Sequence, residues 1–101
     1  MRIGLTLGFL LAATFAQADE AKQAKQDQCD ALGAIVTQLV ELRQDGKREK
    51  RAIKTLTQGK YAVEERYQPT VQFLSGWVYS LTEQELTFEP GKKYAEACVD
   101  H

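Results

Sequence analysis

This chain has little of what an active site is usually made from: two cysteines and a single histidine in 101 residues. The histidine, His101, is the last residue, so no Ser-His or Cys-His pair has a firmly held base and no set of metal ligands gathers around it. The cysteines, Cys29 and Cys98, lie far apart, with no C-x-x-C spacing to resolve a mixed disulfide, which argues against redox catalysis. Adjacent carboxylates such as Glu64 and Glu65 diverge by about 100° on a helix and cannot flank one bond as paired acids do. The chain therefore reads as a non-enzyme, with no cofactor and no metal.

Charge of one sign is also lacking. A net charge of −1 excludes the pronounced basic excess of a nucleic-acid-binding domain. Beyond the first 16 residues no apolar run approaches the roughly 20 residues that a membrane helix needs, so no membrane span is expected. Strand-like alternation and internal repeats are missing as well, which removes sandwich, barrel and solenoid architectures.

What is present begins with an export signal. Arg2 precedes the apolar run Ile3 to Phe15, which closes on Ala16-Gln17-Ala18, a small-x-small cleavage pattern. Residues 1–18 are thus expected to be removed, placing a mature chain that starts at Asp19 in the periplasm or outside the cell. In that oxidising setting a lone cysteine pair in a small domain is a disulfide. About 80 residues remain, one domain's worth, and closing a loop of about 70 of them would contribute roughly 4 kcal/mol by the chain-entropy argument.

Residues 19–28, rich in Ala, Lys and Gln, have no apolar stripe and read as a polar lead-in, frayed or partly disordered. The folded domain is expected over residues 29–101. Cys29, Leu32, Val36, Leu39, Val40 and Arg43 recur at spacings of three and four, predicting an amphipathic helix that stops at Gly46. Lys47 to Gln58 predicts a short solvent-facing helix with a narrow face of Ala52, Ile53 and Leu56. A third piece, Lys60 to Gln68, pairs Val63 with Tyr67 and is expected to kink or break before Pro69. Val71, Leu74, Trp77, Val78 and Leu81, widened by Phe73, form the most hydrophobic mature stripe. Thr82 and Glu85 have capping-box spacing in a loop or single turn, and Pro90 opens a last helix whose Tyr94 and Cys98 share a face. The expected fold is all-α, a small bundle of four to five short helices, with Cys29 and Cys98 joining the first helix to the last.

Candidate contact residues are few. Arg43 projects from the middle of an apolar stripe; its stem can cover core edge while its guanidinium meets a negative helix end, or it can anchor an acidic partner. The basic run containing Arg48 and Arg51 is either a solvated helix face or a docking surface for anionic lipid or protein. Seven of the nine aromatics lie between Tyr61 and Tyr94, and most, Phe73 and Trp77 included, are expected in the core. Tyr79 is expected to point outward with Gln72 and Ser75, where an exposed tyrosine can anchor an interface.

The export signal, Cys29 near the start of the first helix, Leu42-Arg43-x-x-Gly46, Tyr67-x-Pro69 and Tyr94-x-x-x-Cys98 together resemble small exported two-cysteine helical proteins of Gram-negative bacteria, over the whole mature domain. A more distant likeness, in size, helical class and single disulfide, is to the HdeA-type acid-stress chaperones, whose cysteines lie closer together. The expected function is a periplasmic protein-binding or envelope-stress factor. The alternative is an immunity-like inhibitor of a toxin or of a wall-degrading enzyme. A chaperone would expose apolar surface in acid and bind many clients; an inhibitor would hold one folded enzyme.

Overall fold

Five helices and one 3-10 turn follow from these patterns in a computed structural model, which describes the backbone of residues 2–101 and the side chains of residues 18–101. They are α1 (Arg2–Gln44), α2 (Glu49–Thr57), a 3-10 turn (Glu65–Tyr67), α3 (Gln68–Ser80), α4 (Glu83–Leu86) and α5 (Pro90–Val99), with no strand among the described residues. All but one residue of the expected signal segment, residues 1–18, falls outside the described side chains.

Residues 19–28 are helical within α1, and their side chains are exposed apart from the partly covered Gln26. Ala, Lys and Gln are strong helix formers, and Gln23–Asp27 and Gln26–Asp30 hydrogen bonds at four-residue spacing add local support. Packing begins at Cys29. From there Leu32, Ile35, Val36, Leu39 and Val40 are buried, and α1 ends where Gly46 takes the left-handed conformation, φ 86°, that a side chain disfavours. The Lys47 amide donates to the Leu42 carbonyl and the Gly46 amide to Arg43, closing the helix end.

The core joins α1 to Ala52 and Leu56 of α2, Tyr67 of the 3-10 turn, Val71, Leu74 and Val78 of α3, and Leu86 of α4. Helix α5 closes the bundle along α1. The Cys29–Cys98 disulfide, with Cα atoms 5.6 Å apart, joins the first helix to the last. The two helices also touch through glycine: a Cβ on Gly33 would lie 2.7 Å from the Gly91 carbonyl oxygen, and one on Gly91 would meet the Thr37 hydroxyl and lie 2.5 Å from the Gly33 carbonyl oxygen. Backbones this close leave no room for a methyl group.

Several expectations are corrected. Lys60 to Gln68 is not one helical piece but a turn, an extended stretch and the 3-10 turn. Gln68 is itself helical, φ −59° and ψ −41°, because Pro69 stands in the first turn of α3, where its missing N–H is no loss. The buried arc of α3 is Val71, Leu74, Ser75 and Val78, so Phe73 and Trp77 lie outside the core. Tyr79 is half-buried and not outward-facing. The arc is rotated toward Ser75 because α2 approaches there, and a small hydroxyl with partners fits where an indole does not. Ser75 Oγ is 3.0 Å from Glu49 Oε2 and 2.9 Å from the Gln72 carbonyl, so its one proton has two acceptors although the side chain is fully buried.

Candidate functional site

The four sequence-derived contact candidates divide into two pairs. Arg43 and Tyr79 are brought together and turned to structural work. Arg43 NH1 donates to the carbonyls of Val78 and Leu81, at 2.7 and 2.6 Å, at the C-terminal end of α3. Both lie at the negative end of the helix dipole; the Val78 carbonyl also accepts from the Leu81 amide, while the Leu81 carbonyl lies beyond the last helical hydrogen bond. The guanidinium also lies 5.8 Å from the centre of the Tyr79 ring, within cation–π range. The Tyr79 hydroxyl donates to the Lys47 carbonyl at 2.7 Å, tying α3 to the α1–α2 turn. Burial raises the Tyr79 phenol above its usual pKa; the nearby Arg43 charge acts in the opposite direction and Glu49 in the same one. Arg48, at the N-cap of α2, and Arg51, in its first turn, are both exposed.

The residues that sequence reasoning placed wrongly form the most distinctive surface. Phe73 is 75 % exposed, Phe88 53 % and Trp77 38 %. Phe73 and Trp77 are four residues apart on one flank of α3, which puts them one above the other. Trp77 and Phe88 line an open cleft of about 190 Å³ with Leu81, Glu85, Pro90 and Lys93. Tyr94 of α5 supports the indole from beside it, ring centres 6.0 Å apart. Lys93 Nζ lies 5.6 Å from the centre of the Phe88 ring, placing one cation at the rim.

Local sequence builds this cleft. Thr82 and Glu85 make the expected capping box, in which the Glu85 amide donates to Thr82 Oγ1 and the Thr82 amide donates to Glu85 Oε1. The Thr82 amide, and after it the Thr82 hydroxyl, hold the Glu85 carboxyl below its usual pKa. The box starts α4, whose Leu86 enters the core while Phe88 stays outside. The chain then reverses through Glu89, the one non-glycine at positive φ (55°) among the described residues, and Pro90 opens α5. On the helical wheel the buried arc is centred on Val71 and Val78 with Ser75 at one end, and Phe73 and Trp77 lie more than about 100° from that centre.

Two further clefts lie along α5. The wider, about 710 Å³ and shallow, is lined by Gly33, Thr37, Gly91 and Ala95 where α1 and α5 cross. A smaller one, about 360 Å³, runs between the end of α1 and the α4–α5 reversal. Among the described residues no group of three or more His, Cys, Asp or Glu could hold a metal ion. His101 is exposed at the end of the chain.

These features define an all-helical, disulfide-bridged domain with one exposed aromatic flank. No family model matches the chain, and no curated protein or solved structure matches it either.

Proposed function

We propose that this chain is a non-enzymatic exported protein that works by binding another protein, and that Phe73, Trp77 and Phe88 form its contact surface. The exposure of three large aromatics on one flank carries this reading. A domain this small gains stability from every ring it buries, and rings left in water around an open cleft are typical of a surface another molecule covers. Aromatic side chains in such clefts are also the usual energetic anchors of protein interfaces. The partner chemistry that fits is an apolar side chain seated between Trp77 and Phe88. The disulfide suits an oxidising compartment, and no helix among the described residues is long and apolar enough to cross a membrane, both in keeping with the periplasmic or secreted address that the export signal suggests.

The test compares capture by the tagged mature chain with capture by a Phe73→Ser, Trp77→Ser, Phe88→Ser triple variant, using envelope extract and chemical crosslinking. Loss of a specific crosslinked protein at unchanged melting temperature is the expected result. Undiminished capture by the triple variant would remove the reading. One folded enzyme among the captured proteins favours the inhibitor version; many unfolded clients favour the stress-factor version.

A further inference from the structure

The second surface that the fold leaves without a partner is the outer face of α2. Ala52 and Leu56 turn inward, and Glu49, the one acid of the helix, is drawn in by its hydrogen bond with Ser75. What remains outside is positive. Lys50, Arg51 and Lys54 fall within about 100° of arc opposite the buried pair, and Lys47 and Arg48 extend the patch at the helix start, all exposed. None of the five forms an ion pair among the described residues, where the one pair is Arg66–Glu64. Their placement also opposes a local rule. Lys47, Arg48, Lys50 and Arg51 crowd the positive end of the α2 dipole, where acids are favoured and cations are not. A run of like charges held against both neighbours and dipole is a local conflict of the kind found at functional surfaces.

We infer that this face docks on an anionic phospholipid surface. The patch is convex, and none of the three clefts described above includes an α2 residue, so it offers no pocket to select one acidic side chain or a free phosphate. Long flexible cationic stems on a convex face suit charge that is spread over a plane, as in a layer of headgroups. No aromatic interleaves the cations of α2, as a nucleic-acid stacking platform would require. At the edge of the patch, after Gly59, Tyr61 stands 69 % exposed with Lys60 Nζ 5.8 Å from its ring centre. Exposed Tyr beside Lys is the pair that sits at membrane–water interfaces. This surface is distinct from the aromatic cleft. Ser75 and Tyr79 face α2 and its preceding turn, whereas Trp77, two residues from each, faces the opposite flank of α3. One side could therefore hold the envelope while the other held a protein.

Co-sedimentation of the mature chain with vesicles tests this. Binding is expected to phosphatidylglycerol-containing vesicles and not to pure phosphatidylcholine, and to fade between about 20 mM and about 0.5 M salt. Replacing Lys50, Arg51 and Lys54 together with Gln should weaken partition about a hundredfold at unchanged helicity. A Lys50→Arg, Lys54→Arg variant should bind as the parent does, and so should Trp77→Ser. Equal binding to both vesicle types, or undiminished binding by the Gln variant, would overturn the inference. So would displacement by inorganic phosphate beyond its effect on ionic strength, which would mark a discrete anion site.

Discussion

The two flanks of α3 are built from different materials. Toward α2 and α1 the helix presents Val71, Leu74, Ser75 and Val78, and small size and satisfied hydrogen bonds let neighbouring backbones come close. Toward α4 and α5 it presents Phe73 and Trp77, and no helix covers them fully. The flank with the larger aromatic rings is the more open one. Burial in this domain follows fit and polar satisfaction, and the aromatic surface left over is available for binding. On the closed flank Arg43, Tyr79 and the Ser75–Glu49 hydrogen bond tie α3 to α1 and α2; on the open one α5 is anchored to α1 by the disulfide and the glycine contacts, and α4 rests on a capping box.

Breaking the ties of α1 should cost stability, and breaking those to α5 should also loosen the aromatic cleft, because Pro90, Lys93 and Tyr94 of α5 line or support it. The largest effect is expected from the disulfide. Cys98→Ser opens a loop of 69 residues and should lower unfolding free energy by about 4 kcal/mol, read by urea titration. Next comes the α1–α5 crossing. Gly91→Ala must push apart two backbones already in contact, and a loss of about 2–3 kcal/mol is expected by the same titration. Arg43→Met keeps the apolar stem but strands the Leu81 carbonyl and leaves the Val78 carbonyl with the Leu81 amide alone, for about 1–2 kcal/mol. That variant should still capture whatever the aromatic cleft binds, since Arg43 faces the α3 end from the α1 side; loss of capture with no loss of stability would return Arg43 to the contact surface.

The smallest effect sharpens the comparison on the open side. Because hydrogen bonds from Thr82 depress the Glu85 pKa, its contribution is fully present above the usual carboxylate value of 4.5 and is lost as pH falls through the lower folded value. Acidification should therefore release α4 before the closed side, seen as faster amide exchange at Leu86 and Thr87 than in α1. Glu85→Gln should remove that acid dependence while keeping an oxygen that accepts from the Thr82 amide.

Much of this arrangement was legible in the residues. The spacing of Cys29, Leu32, Val36, Leu39 and Val40 marks the inward face of α1, Gly46 the end of α1 and Gly59 that of α2, Thr82 and Glu85 the cap, and the two thiols the bridge. Each is a local signal with one physical meaning. Periodicity alone puts the aromatic flank in the core, because it ranks positions by hydrophobicity and Trp77 outranks Ser75. What reverses them is tertiary: Glu49, 26 residues away, supplies the partner that makes a serine the better core residue. A break is expected before Pro69 with a helix beyond it; α3 instead already includes Gln68, and Pro69 stands in its first turn. Arg43 and Tyr79 looked like anchors because a stripe shows which side chains are odd, but not which carbonyls they will meet.

The central claim, that α3 is closed on its α2 flank and open on its aromatic one, is most directly tested by acrylamide quenching of Trp77, the only tryptophan. In the folded protein the indole should be readily quenched, with a constant that is a substantial fraction of the urea-unfolded value and an emission well to the red of a buried indole. A blue-shifted emission shielded from acrylamide would place Trp77 in the core and contradict the account.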